Sequence, residues 1–197
     1  MPLTGEAANI ALNALWHTTN RFVGAASLAA ATAVENSAAG TVIKKANALS
    51  NGNVLYFSVL SGGTGLVALR PYYVVGRTST QFELARTKGG PAIAFTSELK
   101  AASEYVVVTE MSGGGYKRIE TAFGAAAGGQ VEDTTEHALK IPAGKTIGAE
   151  VYFEGESTGE LLGISILATP ELYGSEGTYT VKSSESDLNN ATGTPAP

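Results

Sequence analysis

Two histidines are the first candidates for chemistry, because imidazole serves both as a metal ligand and as a general base. The carboxylates nearest to His137 in the sequence are those of Glu132, Asp133 and Glu136. Residues 136–140 (Glu-His-Ala-Leu-Lys) belong to a predicted strand, residues 136–141. We therefore interpret His137 as a half-exposed strand position and His17 as the end of a helix, and we predict no metal site.

Two short segments resemble nucleotide-binding motifs. Residues 142–146 (Pro-Ala-Gly-Lys-Thr) contain the Gly-Lys-Thr of a phosphate-binding loop, but Leu139 stands where that motif needs its first glycine. Residues 63–68 have the Gly-x-Gly-x-x-Ala form of a dinucleotide site, but no helix follows to hold a pyrophosphate. We interpret the first segment as a β-turn and the second as a hairpin loop, and we predict no cofactor.

Hydrolase chemistry has equally little support. The chain contains no cysteine. Residues 155–159 (Gly-Glu-Ser-Thr-Gly) have the order Gly-x-Ser-x-Gly, but they lie between two predicted strands and so do not form the strand-to-helix elbow of a serine hydrolase. Glu154, Glu156 and Glu160 lie in polar, turn-like surroundings where solvated carboxylates are the usual case. The sequence therefore predicts a protein that is not an enzyme and has no catalytic residues.

Composition limits the partners. Only 16% of the 197 residues are charged, against roughly 25% in average globular chains, which favours a surface partly covered by neighbouring subunits. The net charge of −5 and the scattered lysines and arginines argue against nucleic acid. We interpret the pairs Lys44–Lys45 and Lys117–Arg118 as solvated β-edges. Neither a signal peptide nor a membrane span is recognisable, so synthesis in the cytosol is expected.

Apolar periodicity predicts one helix, over residues 3–16, followed by short β-rich runs separated by turn residues. The expected fold is mainly β, with antiparallel strands in a sandwich or barrel. The predicted strands span residues 21–27, 42–45, 54–60, 72–76, 81–85, 93–95, 105–109, 116–123, 136–141, 146–154, 161–166 and 178–182. Residues 24–41 could form a strand followed by a linker or a short helix. The polar tail, 183–197, is expected not to order itself.

The aromatic residues have two interpretations. Phe57, Phe82 and Phe95 suit the core of a small sheet. Tyr72 and Tyr73, together with Arg70, could instead form a surface that binds a carbohydrate or a receptor.

An ordered set of segments resembles a family of small virion structural proteins from tailed bacteriophages, particularly those of actinobacteria. Its members are described variously as head-decoration, minor capsid, minor tail or tail-fibre proteins. The segments are residues 3–15, 21–25, 110–118, 123–129, 141–147, 169–173 and 177–181. A second set looks like a small β-module recurrent in phage structural proteins, and comprises residues 51–57, 65–66, 71–75, 80–85 and 89–93. Relatives usually carry a His-Thr-x-Asp-Pro-Gly stretch where this chain has the Ala-rich residues 25–39.

The resemblance implies a jelly-roll-like β-sandwich host, residues 1–35 and 106–182, with an N-terminal helix. A small β-domain, residues 40–98, would be inserted in it, and residues 183–197 would form a tail. The implied function is that of a capsid decoration or minor capsid subunit, with a tail-associated protein or a receptor-binding module as alternatives. The implied location is the virion, after synthesis in the bacterial cytoplasm. The expected partners are major capsid or tail proteins and further copies of the chain, with a trimer as one arrangement.

Overall fold

The computed structural model describes residues 20–125, 130–132, 134–181 and 187–189. All regular elements in these residues are β-strands, and the strands pair in antiparallel ladders. The predicted mainly β fold class is therefore confirmed. The predicted helix over residues 3–16 lies outside the described residues.

Fourteen strands are present in the described part of the chain. They are β1 (Phe22–Leu28), β2 (Thr32–Ala33), β3 (Ile43–Lys44), β4 (Val54–Val59), β5 (Tyr72–Val75), β6 (Gln81–Ala85), β7 (Glu104–Glu110), β8 (Ile119–Glu120), β9 (Gln130–Glu132), β10 (His137–Ile141), β11 (Lys145–Phe153), β12 (Leu161–Tyr173), β13 (Gly177–Val181) and β14 (Asp187–Asn189).

The chain divides into two compact units. The insert unit is Ala26–Thr109, and the host unit comprises the residues up to Ala25 and from Glu110 onward. The bounds predicted for the insert, 40–98, are narrower. The ladder of β2 with β7 and the hydrogen bond from the Val34 amide to the Ser103 carbonyl place the flanking residues within the insert unit.

The insert unit is a small closed sheet. Its strands lie in the order β7-β4-β5-β6-β3. The strands β2 and β3 belong to one stretch of chain, whose start pairs with β7 (Thr32↔Tyr105) and whose end pairs with β6 (Ile43↔Phe82). This stretch contacts both edges of the sheet, so the strands close into a small barrel without a free edge.

The core of the insert unit is aromatic and aliphatic. The predicted core residues Phe57, Phe82 and Phe95 are at most 2% exposed, which confirms that interpretation. Edge-to-face contacts join Phe57 to Tyr72 and Phe82 to Tyr105, with ring centroids 6.4 and 5.5 Å apart. Such contacts add to the stabilisation that burial alone provides.

The second half of the host unit is one long antiparallel ribbon. The ladder of β10 with β13 continues in the same register into the start of the ladder of β11 with β12, from His137↔Val181 to Ile147↔Glu171. Beyond Ile147 a bulge shifts the register, and Ala149 pairs with Ile166. The ribbon turns at residues 142–144, where Pro142 cannot donate to a ladder and Gly144 has a φ of 74°. The Gly144 amide still donates to the Tyr173 carbonyl, so the two strands stay paired through the turn.

The turned ribbon encloses the host core. The sheet order β12-β11-β1 forms one layer and the β10–β13 pair forms another. The shared core contains residues from both layers: Val23, Ala25, Met111, Phe123, Leu139, Ile141, Ile147, Tyr152 and Val181. This two-layer packing is consistent with a β-sandwich.

Three strands were missed by the sequence patterns. The strands β2 and β9 are too short for an alternation of polar and apolar residues to be recognised. The strand β14 lies in the polar tail, 183–197, and pairs with β9, so the expectation that the tail could not order itself is wrong for residues 187–189. The backbone ladder with β9 supplies what apolar burial could not. Residues 26–41 form no helix.

One backbone position is strained. Leu69 has a φ of +60°, the only positive φ of a non-glycine residue in the described chain, and its side chain is 59% exposed. Replacing Leu69 by Asn, which tolerates this region better, should raise the free energy of unfolding by about 0.5–1 kcal/mol. Urea denaturation measures the change. The matched control is Ala68→Asn, which should not stabilise, and an equal effect of both variants would contradict the account.

Candidate functional site

A cluster of polar residues lies where β7 ends. Three consecutive glycines, Gly113 to Gly115, have φ values of 83°, 55° and 75°, which L-residues rarely adopt. The Tyr116 amide donates to the Gly113 carbonyl and closes this turn. The chain is thereby turned back so that Tyr116 and Arg118 lie beside Glu110, the last residue of β7.

Arg118 and Glu110 form a bidentate ion pair. The Nε of Arg118 donates to Oε1 of Glu110 at 2.7 Å, and one of its terminal nitrogens donates to Oε2 at 2.8 Å. The Arg118 side chain is only 10% exposed and that of Glu110 is 28% exposed. A planar guanidinium fits a carboxylate in this geometry, whereas an ammonium group does not.

The same guanidinium holds the tip of the β11–β12 hairpin. Its other terminal nitrogen donates to the carbonyls of Gly155 and Thr158, at 2.7 and 3.2 Å. Its central carbon lies 3.3 Å from the centre of the Phe153 ring, a position for a cation–π contact. The interpretation of Lys117–Arg118 as a solvated edge is therefore wrong for Arg118 and right for Lys117, which is exposed.

Tyr116 joins the cluster to β1. Its hydroxyl accepts a hydrogen bond from the Ala25 amide at 2.9 Å and donates to Oε1 of Glu110 at 3.2 Å. Burial, followed by the negative charge of Glu110, raises the pKa of Tyr116 well above its ordinary value. A Cβ at Gly24 would collide with this hydroxyl, so the close approach needs a glycine there.

An open cavity of about 320 Å³ adjoins the cluster. We call it the Met111 cavity. Residues that line it include Glu110, Met111, Tyr116, Lys117, Arg118 and Glu156. Its wall combines an apolar part, Met111 and the Tyr116 ring, with an exposed carboxylate at Glu156.

The charged groups of the cluster are bound by other residues of the chain. The carboxylate of Glu110 accepts from both Arg118 and Tyr116, and Arg118 has donors committed to three different residues. The arrangement fixes a turn, a strand end and a hairpin tip relative to one another.

The structure corrects the interpretation of His137. Its side chain is 4% exposed, because β10 alternates in burial and places His137, Leu139 and Ile141 on the face toward the core. Its Nε2 lies 3.2 Å from the Thr135 hydroxyl. Glu136 is exposed, while His17, Asp133 and the side chain of Glu132 lie outside the described residues. Within the described residues no three potential ligands cluster as a metal site would require.

The remaining predicted positions lie in turns, in a loop and at the tip of the β11–β12 hairpin. The Gly-Lys-Thr segment is a turn that leads directly into β11, and residues 63–68 lie in the loop between β4 and β5, as predicted. Glu154 and Glu156 are exposed at the hairpin tip, and Glu160 is half-buried.

The proposed aromatic surface of the insert is wrong. Tyr72 and Tyr73 are 0% and 4% exposed, and the Tyr72 hydroxyl accepts a hydrogen bond from the Val67 amide. Arg70 alone of the three residues is exposed. Both faces of β5 are covered, which adjacent aromatic residues in a strand could have indicated.

Sequence reasoning missed Glu110 and Arg118 as partners. The available signal was an acid and a base on either side of a triple-glycine turn, a spacing that brings the two side chains together across a hairpin. Depth of burial could not be read from that spacing.

No family model, curated protein or solved structure matches the chain. In the part of the chain that the structure describes, no helix is long and apolar enough to cross a membrane.

Removing the guanidinium should destabilise the host unit. Arg118→Ala should lower the free energy of unfolding by roughly 2–4 kcal/mol, because Glu110 and two carbonyls lose a partner in a site poor in water. Chemical denaturation followed by circular dichroism measures the loss. Lys117→Ala, one residue away and exposed, should change stability by less than about 0.5 kcal/mol.

A double-mutant cycle separates the pair from the loop contacts. Glu110→Gln should cost less stability in the Arg118→Ala background than in the unmodified chain, since the pair is already broken. Equal costs in both backgrounds would show that the two residues are not coupled.

Stability should fall in alkaline solution. Burial and the nearby Glu171 raise the pKa of Tyr173 from 10.0 to about 12, and burial and Glu150 raise the pKa of Tyr179. With Tyr116 this makes three phenols that ionise more readily in the unfolded chain. Stability is fully present below pH 10 and is lost as the pH rises toward 12 and beyond.

Urea denaturation at a series of pH values measures this dependence. Replacing the three tyrosines by Phe should flatten the profile above pH 10, the ordinary phenol pKa. An unchanged slope in the triple variant would contradict the assignment.

Proposed function

We propose that the chain is a structural subunit of a tailed-bacteriophage particle and not an enzyme. The observation that carries the proposal is that the phage-like segments coincide with the architectural parts of the host unit. Residues 110–118 contain the Arg118 cluster, residues 141–147 contain the turn of the ribbon, and residues 169–173 and 177–181 form its return strand. Such a match is expected when a family preserves a scaffold.

The chemistry of the cavity supports the same role. Its most buried charged group, the Arg118 guanidinium, is engaged in holding the chain together. Among the described residues, no buried side-chain nitrogen or oxygen lacks a hydrogen bond.

Within the particle we favour a capsid decoration or minor capsid subunit. A jelly-roll-like sandwich host with an inserted barrel suits a subunit that attaches by one unit and projects the other. An N-terminal helix over residues 3–16 would serve as a docking element. The proposed partners are the major capsid protein and further copies of this chain, in a homo-oligomer that could be a trimer.

A tail-associated protein is the alternative placement, because the resembled family includes minor tail and tail-fibre proteins. A carbohydrate-binding surface on the insert would need accessible aromatic side chains, but Tyr72 and Tyr73 are buried. Of the three residues proposed for that surface, Arg70 alone is exposed.

Mass spectrometry of purified particles from cells that carry this gene tests the proposal. We expect peptides of this chain in the particles, at a constant ratio to the major capsid protein across a density gradient. Separated heads and tails distinguish the two placements. Absence of the chain from particles, with its presence in the lysate as the control, would overturn the proposal.

A further inference from the structure

The insert unit exposes an apolar knob at its strained position. Leu69, Val67 and Val59 are 59%, 48% and 46% exposed. They are the only exposed large hydrophobic residues in the insert unit, all of which the structure describes. The Leu69 amide donates to the Phe57 carbonyl, which places Leu69 beside the end of β4, close in sequence to Val59. We call residues 59–70 the Leu69 loop.

Arginines flank the knob. Arg70 follows Leu69 directly and lies close enough to Arg86 for mutual repulsion, which together with burial lowers the pKa of Arg70. Both arginines are exposed, and neither forms an ion pair or a hydrogen bond with a described residue. Two cations held near each other without a carboxylate favour an acidic partner.

Charge is divided unequally along the chain. Residues 26–109 contain seven lysines and arginines against four acidic residues, whereas the rest of the chain contains six against fourteen. The net charges are therefore +3 for the insert unit and −8 for the remainder. The host part of a second copy thus carries the net charge opposite to that of the insert unit.

The Met111 cavity has the matching form. Its volume of about 320 Å³ exceeds the roughly 150 Å³ of a cavity that accommodates benzene, so it can accept a leucine side chain. The half-buried Tyr116 ring provides apolar contact above the largely buried Met111, and the exposed Glu156 provides a carboxylate for an arginine next to the knob. Arg118 holds the hairpin tip that carries Glu156, which lowers the entropy lost on binding.

We propose that the Leu69 loop of one copy docks into the Met111 cavity of the next copy, with Arg70 and Arg86 facing Glu156. The contact is heterologous, because different surfaces of the two copies meet, and it generates a ring or an open chain of subunits. This inference rests on the proposed homo-oligomer and specifies its surfaces. The strain at Leu69 is then explained by the apolar side chain that it presents.

Sedimentation of the purified full-length chain, from micromolar to millimolar concentration, tests the docking. The unmodified chain should associate with rising concentration and dissociate with added salt. Leu69→Asn removes the apolar knob, relieves the strained backbone, and should weaken association at least tenfold while the fold is retained by circular dichroism. Leu172→Asn is the matched control, because Leu172 is 69% exposed but lies outside the proposed contact.

Charge reversals test the register of the contact. Arg70→Glu should weaken association roughly tenfold, and Glu156→Lys in the same chain should restore it. Lys117→Glu should strengthen it, because it replaces the exposed cation of the cavity by a carboxylate.

A monomeric unmodified chain at millimolar concentration would overturn the proposal, as would undiminished association of Leu69→Asn or failure of the paired reversal to restore binding. These outcomes are separate from the particle analysis. A chain that is found in particles but does not associate by this contact overturns the docking alone.

Discussion

A guanidinium that is largely removed from water needs hydrogen-bond acceptors for its N–H groups. In the host unit the end of β7 and the tip of the β11–β12 hairpin supply these acceptors to Arg118. One side of the group meets the Glu110 carboxylate, and the other meets the carbonyls of Gly155 and Thr158. The residues that supply these partners come from a strand end and from a hairpin tip that are remote in sequence. Loss of the cation would leave the Glu110 carboxylate with the Tyr116 hydroxyl alone and would free two carbonyls, so the pair acts as a constraint on architecture even though its net contribution to stability is modest.

The constraint acts on a simple element. Residues 137–153 and 161–181 form one antiparallel ribbon, which turns where Pro142 and Gly144 lie and changes register after Ile147. Because the ribbon turns, two of its segments face each other across a common apolar core and form the two layers of the fold. The Arg118 contacts with Gly155 and Thr158 fix the tip of its β11–β12 hairpin. The cavity beside the tip is therefore a fixed surface, well suited to receive a neighbouring subunit.

Much of the fold follows from short-range pattern. Alternation and turn residues located strands such as β4 and β6 within a residue or so, because period-two burial and glycine turns are local properties. The same reasoning failed where an element depends on distant partners: β14 has no apolar pattern and exists through its ladder with β9. It also failed at His137 and at Tyr72 and Tyr73, since the depth of burial depends on what packs above a strand. The Glu110–Arg118 pair had a sequence signal, whereas the cavity beside it had none.

The central claim is that the chain is a structural subunit of a phage particle, in which the cluster of Glu110, Tyr116 and Arg118 stabilises the fold. Electron cryomicroscopy of intact particles from cells that carry the gene tests this most directly. The account predicts density for the host and insert units at symmetric positions on the shell, with the Leu69 loop of one copy at the Met111 cavity of another. Particles with a fully traced shell and tail, and no density that fits either unit, would contradict it.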